Sequence, residues 1–199
     1  MFHAYVSPLG AVLSTHRLML ETVTVSGANT SSFSSGQNSR SSGIEASEKL
    51  AETDLKRVNS YREKITSVSR KTGVDPAIIA AIMSRESRAG NALDANKWGD
   101  HGNAYGLMQI DKRWHTPQGE WDSEEHILQA TEILCNMFDA IKQNFPSWST
   151  NQVMKGAISA YNAGPGNVIS FDTIDSRTTG RDYSNDVVAR AKFYKKNGF

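Results

Sequence analysis

Cysteine is almost missing from this chain: Cys135 is the single one in 199 residues. That excludes an intrachain disulfide framework and any cysteine-based zinc cluster. Cys135 sits in the apolar run Ile133-Leu134-Cys135-Asn136-Met137-Phe138, where a free thiol packs like a small core residue. No base stands beside it in sequence to make it a nucleophile. A net charge of one sign is also missing, since 22 Lys and Arg against 21 Asp and Glu leave +1. Nucleic acid held mainly by a basic field is therefore not expected. No apolar run approaches the roughly 18 residues that a membrane-spanning helix needs, so no membrane insertion is expected. A convincing signal peptide is absent too. No Lys or Arg precedes the first apolar stretch, and Pro8, His16 and Arg17 interrupt it. A chain of this length buries roughly 70% of its unfolded surface, so its core needs no metal or disulfide.

What is present divides near residue 43. Ser26 to Gly43 holds eight serines and three glycines in 18 residues, with Phe33 as its one large apolar side chain. Such a stretch buries too little to offset its ordering entropy. Residues 1–43 are therefore read as a leader and a flexible Ser/Gly-rich arm, with Val23-Thr24-Val25 as a candidate short strand. From Ile44 onward the periodicity is helical. Leu55, Val58, Ile65 and Val68 mark one face of a long helix ending at Gly73. Asp75-Pro76 supplies an N-cap and a first-turn proline for an apolar helix from Ala77 to about Arg88, with Gly90 placed to stop it. Residues 91–121 are turn-rich, with glycines at 99, 102, 106 and 119. Asp122-x-x-Glu125 and Ser149-x-x-Gln152 resemble capping boxes for two further helices, ending at Pro146 and at Gly164-Pro165. Asp182 to Lys196 is a last helix. The expected fold is mainly α, a helical domain over 44–199 with a small hairpin or loop region beside a cleft.

Three carboxylates stand where chemistry needs them. Glu86 follows a nearly continuous apolar run at the C-terminal end of its helix. Facing inward, it would be neutralised by desolvation and by the negative helix terminus, as a general acid requires. Facing outward, it would be an ordinary solvated carboxylate paired with Arg85 or Arg88. Asp100 and Asp111 lie among glycines that let backbone approach a ligand closely, although Asp in such loops is commonly a turn former. An acid and an opposed carboxylate that activates water are the minimum equipment for cleaving a glycosidic bond. Trp98, Tyr105, Trp114 and Tyr161 offer apolar faces for sugar rings, or else core packing.

The strings Ser84-Arg85-Glu86-Ser87, Trp98-Gly99-Asp100, Gly106-Leu107-Met108-Gln109-Ile110-Asp111 and Ala160-Tyr161-Asn162-Ala163-Gly164 resemble goose-type lysozymes. That family shares its catalytic fold with bacterial lytic transglycosylases. Phe145-Pro146-Ser147-Trp148-Ser149, the block from Asp182 to Arg190 and the closing Tyr194 to Phe199 fit as well. The likeness runs from about Gly43 to Phe199, with several separate motifs in the family's order. The Trp-Gly-Asp string and the C-terminal block favour the goose-type branch.

The resemblance implies hydrolysis of the β-1,4 bond between N-acetylmuramic acid and N-acetylglucosamine in bacterial peptidoglycan, with chito-oligosaccharides as analogues. It implies Glu86 as general acid and Asp100 and Asp111 as residues that hold the attacking water. Inversion at the anomeric carbon would follow, which needs carboxyls roughly 6.5–9.5 Å apart. Gln109, Tyr161, Asn162, Tyr183, His115 and Tyr105 are the implied substrate-binding positions. No metal or cofactor is implied, and a monomer active in antibacterial defence is expected. The family is extracellular, whereas this leader points to unconventional release or to an intracellular, lysosomal setting. Transglycosylation, a wall-binding module without catalysis, and chitin cleavage as a side activity stay open alternatives. From Arg177 onward six basic residues face Asp182 and Asp186, a local +4. That end is expected to orient the domain on anionic walls.

Overall fold

The computed structural model describes residues 20–29 and 42–199. The readings for Met1 to Met19 and for residues 30–41 lie outside them. The described residues form six α-helices: α1 (Ile44–Asn59), α2 (Arg62–Thr72), α3 (Pro76–Ser87), α4 (Glu124–Asn144), α5 (Thr150–Ala163) and α6 (Tyr183–Lys196). Between α3 and α4 lies a small antiparallel sheet of β1 (Trp98–Gly99), β2 (Ala104–Tyr105) and β3 (Ile110–Asp111). Trp98 pairs with Tyr105 and Ala104 with Asp111. The mainly α fold with a small sheet region is as expected.

Helix α3 is the centre of the domain. Asp75 accepts the Ala77 amide at 2.9 Å and Pro76 occupies the first turn, so the start is capped as the sequence implies. Every residue from Ala77 to Arg85 is buried, as a helix apolar on all sides requires. Ile78, Ile79, Ile82 and Met83 pack with Ile65, Ile127, Val187 and Tyr194 in one continuous core. Each such side chain contributes about 1.5–3 kcal/mol by leaving water. Helix α6 lies against α1, α3 and α5, and α4 against α2 and α5. Cys135 is buried in this core, where burial pushes its thiol up to about 11.

Several local readings need correction. The long helix before Gly73 is broken into α1 and α2. The Ser60 hydroxyl donates to the Arg57 carbonyl at 2.6 Å, and the Tyr61 amide reaches back only three residues to Val58. A side-chain donor and tightened backbone bonds thus replace the helical ladder there. Helix α4 is capped by Ser123, whose Oγ accepts the His126 amide at 3.2 Å, rather than by Asp122. Helix α3 by contrast ends where expected, with its left-handed cap at Arg88. The Ser149–Gln152 capping box forms as expected.

Residues 20–29, read as part of the N-terminal leader and arm, are packed on the domain. Leu20, Val23 and Ala28 are buried. Val23 to Val25 form no ladder; a single bridge joins Ala28 to Gly43. The segment is held by its backbone polar groups. Lys155 Nζ donates to Thr24 O at 2.9 Å and Lys192 Nζ to Val23 O at 2.6 Å. The Ala28 amide donates to Ser47 Oγ at 2.9 Å and the Asn29 amide to Asp182 Oδ2 at 2.7 Å. A side chain on Gly27 would meet the Gly43 backbone at 2.2 Å, so the close approach demands glycine there.

The basic C-terminal end is occupied only in part by internal partners, and Arg177, Arg181 and Lys196 stay exposed. Arg190 is fully buried, Lys195 pairs with Asp75 at 2.6 Å, Lys196 with Glu48 at 3.6 Å, and Arg177 donates to Asn167 at 3.0 Å. Arg190 belongs to a buried ionic chain through α1, α3 and α6. Arg85 pairs with Asp186 and, at 3.0 Å, with Asp182. Arg190 Nε donates to Asp186 at 3.0 Å, and its Nη1 to Ser84 Oγ at 3.0 Å. Ser84 passes the link to Asp54 at 2.9 Å, and Arg57 closes it from the surface. Removing one member strands buried charge on the others, so Asp54→Ala should lower unfolding free energy by about 3–5 kcal/mol in urea. Breaking the exposed Lys49–Glu52 pair should leave the urea midpoint nearly unchanged.

Candidate active site

Glu86 is the last acidic residue of α3 and stands where its buried run opens. It is half-buried, between fully buried Arg85 and Ser87. The Tyr183 hydroxyl, from the first residue of α6, donates to Glu86 Oε1. Burial, and after it the charge of nearby Glu86, raises the phenol pKa of Tyr161 of α5. Burial pushes the Glu86 carboxyl up from 4.5 to about 7, opposed by the Tyr183 hydrogen bond and the Arg85 charge. Burial prevails because Arg85 is already matched by Asp182 and Asp186. Glu86 therefore faces inward and is held near its neutral form.

The sheet and its turns, between α3 and α4, carry the other candidate residues. Seven non-glycine residues have positive φ among the described residues, and six of them fall between Arg88 and Gln109: Arg88, Ala89, Lys97, Asp100, His101 and Gln109. Such backbone is sparsely populated by side-chain-bearing residues and gathers where surrounding structure enforces it. Here the enforcement is traceable. Ser87 Oγ donates to Leu107 O at 2.6 Å and accepts the Gly90 amide at 2.9 Å. Tyr161 donates its hydroxyl to Met108 O at 2.8 Å. The segment 107–108 is thus tied to α3 on one side and α5 on the other.

Asp100 and Asp111 are brought together through Arg113. Its Nε and Nη2 reach both Asp111 oxygens at 2.6–3.0 Å, and its Nη2 reaches Asp100 at 3.4 Å. The Arg113 side-chain hydrogen bonds hold the Asp111 carboxyl below the ordinary carboxylate range. Asp111 is therefore ionised while Glu86 is held near neutrality. Asp100, with a side chain 54% exposed, carries the more open carboxylate.

The remaining sequence-predicted residues are placed unevenly. Tyr183 and Tyr161 flank Glu86. Gln109 turns its carboxamide into the sheet, donating to Gly106 O at 2.9 Å and filling the space a side chain on Gly99 would need. Asn162 uses its Oδ1 to accept the Thr179 amide at 2.9 Å. His115 donates its amide to Asp111 O at 3.0 Å. Tyr105 packs on Trp98, with ring centroids 4.9 Å apart, and edge-on to His126. Trp114, in the turn after β3, is 81% exposed and is the tryptophan left open. Two residues carried no signal in the motifs: Arg113, and His126, whose Nε2 accepts the Met108 amide at 3.1 Å. His126 was readable only as the start of a buried helical stripe through Ala130. Among the described residues no group of three or more His, Cys, Asp or Glu is placed to hold a metal, and no helix is long and apolar enough to cross a membrane.

The family model described as Lysozyme g matches residues 19–198, taking in the packed N-terminal segment. The chain is 55% identical over 157 residues to Lysozyme g of Struthio camelus, covering 79% of this chain and 76% of that one. It is 54% identical over 157 residues to Lysozyme g of Cyprinus carpio, covering 79% and 84%. Lysozyme g-like protein 2 of Mus musculus is 45% identical over 157 residues, covering 79% and 71%.

The raised Glu86 pKa makes stability pH-dependent. The contribution of the neutral carboxyl is complete below about pH 4.5 and is lost as pH rises through about 7. Glu86→Gln removes that loss. At pH 8 the variant should be more stable than the parent by on the order of 1–3 kcal/mol, and at pH 4 the two should nearly coincide. Urea titrations at both values check this.

Proposed function

The chain belongs to the lysozyme g family of glycoside hydrolases, and from that membership and the site geometry we propose an inverting muramidase with Glu86 as its general acid. Its substrate is the β-1,4 bond between N-acetylmuramic acid and N-acetylglucosamine in bacterial peptidoglycan, and its role is antibacterial wall lysis. The observation that carries this reading is the opposite tuning of two carboxyl groups. Burial holds Glu86 toward protonation, while Arg113 holds Asp111 ionised. Two titratable groups pushed apart by their surroundings divide into acid and base.

In the proposed reaction Glu86 gives its proton to the glycosidic oxygen as the bond from that oxygen to the anomeric carbon breaks. A water attacks the same carbon from the opposite face, and the aspartate side takes up its proton. Asp100 offers the open carboxylate for that water, and Asp111 anchors Arg113 beside it. One displacement inverts the anomeric configuration. Tyr183 orients the Glu86 carboxyl, and Tyr161 lines the cleft floor. Gln109 and Asn162 contribute through backbone positions, since their side chains already serve the fold. The open indole of Trp114 and His115 beside Asp111 extend the wall on which sugar rings would lie.

Mass spectrometry of muropeptides released from insoluble peptidoglycan tests this reading. Hydrated muramic acid at the reducing end is expected. Anhydro-muramic products would show attack by the sugar's own 6-hydroxyl and remove the water-handling role from Asp100 and Asp111. Glu86→Gln should lower turnover by about 10²–10⁴-fold, the range for losing a general acid. Tyr183→Phe removes a bond that favours the ionised Glu86. The activity lost as pH rises through the Glu86 pKa should therefore be lost at higher pH in that variant.

A further inference from the structure

His126 is fully buried in the first turn of α4, yet neither proton transfer nor sugar binding uses it. Its Nε2 accepts the Met108 amide at 3.1 Å, so the ring must be neutral with its proton on Nδ1. Nδ1 itself meets no acceptor among the described residues. The ring lies directly under Gly106, where a side chain would come within 2.5 Å of Cε1. Tyr105 stands edge-on to it at 5.8 Å. The residue that His126 holds by its amide is also held by its carbonyl, because Met108 O accepts the Tyr161 hydroxyl at 2.8 Å.

From this relay we infer that neutral His126 is a positioning residue for the reaction, fixing Met108 so that Tyr161 stands correctly beside Glu86. The inference rests on the muramidase reading for its kinetic consequence, but the relay itself is a property of the free protein. A protonated ring would present a donor at Nε2 to the donor of Met108, and the loop would have to leave. Desolvation pushes His126 down to about 4, although Asp122, a charged neighbour, favours the cation, and Tyr105 is the titratable ring against it. The unfolded chain thus binds the proton first, and the device is intact at neutral pH and lost on acidification through that value.

The test uses His126→Leu, which has no acceptor, and His126→Gln, which can still accept the Met108 amide. Amide exchange read by NMR without substrate should show Met108 protected in the parent and His126→Gln, and unprotected in His126→Leu while core amides of α3 stay protected. On acidification below about pH 4, Met108 protection should fall in the parent and persist in His126→Gln. With peptidoglycan fragments, kcat per folded molecule should fall about ten- to a hundredfold in His126→Leu, as for a displaced catalytic wall. KM should stay within about twofold, because Trp114 and the sheet are not held by this bond, and His126→Gln should recover most of the loss. If Met108 exchanges alike in all three proteins, or is freed in His126→Leu without loss of kcat, the relay is overturned. A parent that protects Met108 but releases no muropeptide would instead overturn the reading of the reaction.

Discussion

Arg85 enters the interior one residue before Glu86, and its charge must be met there before the rest of the site can exist. A lone buried guanidinium would cost several kcal/mol and would also pull Glu86 toward ionisation. Asp182 and Asp186 meet it from the start of α6, and Arg190 and Ser84 carry the balance on to Asp54 of α1. The chain of alternating charges thus does two things at once. It fixes α1, α3 and α6 relative to one another, and it leaves burial free to dominate the Glu86 carboxyl. Specific geometry is what such buried ionic groups supply, since apolar residues of equal volume would hold the helices at least as well.

The other parts of the site hang from that frame through short, countable links. Tyr183 heads the same helix that carries Asp186, so the ion pairs also place its hydroxyl on Glu86. Asp182 accepts the Asn29 amide as well, which brings the N-terminal segment 20–29 into the same arrangement. On the other side, Ser87 and Tyr161 hold the 107–108 backbone from α3 and α5, and the left-handed residues around it are the local cost of that shape. Arg113 then joins Asp100, in the turn after β1, to Asp111, at the end of β3.

Much of this was legible in the residues. Asp75-Pro76 and the apolar run that follows announce α3, but the position of Glu86 at its end left inward and outward facing both open until burial decided it. The Ser149–Gln152 box and the core placement of Cys135 needed only local chemistry. Other features depend on partners far away in sequence. Asp54 reads as a polar helix residue, and only Ser84 and Arg190, from other helices, explain its burial. The packing of residues 20–29 was hidden because the side chains that hold their backbone, Lys155, Lys192, Ser47 and Asp182, lie far away in sequence, and only Leu20, Val23 and Ala28 enter the interior. The C-terminal lysines read as a basic face, yet Asp75 and Glu48 lie within reach of them in the fold. The break at Ser60 and Tyr61 was hidden because a helical stripe continues through it, and one hydroxyl bond decides the matter.

The neutral Glu86 carboxyl is the point on which the chemistry turns, and a carbon-13 carboxyl titration of the folded protein reads it directly. With burial outweighing the Tyr183 hydrogen bond and the Arg85 charge, its midpoint should lie near 7. A midpoint near 4.5, the value of a solvated glutamate, would mean that burial does not protect the proton and that Glu86 is not poised as an acid.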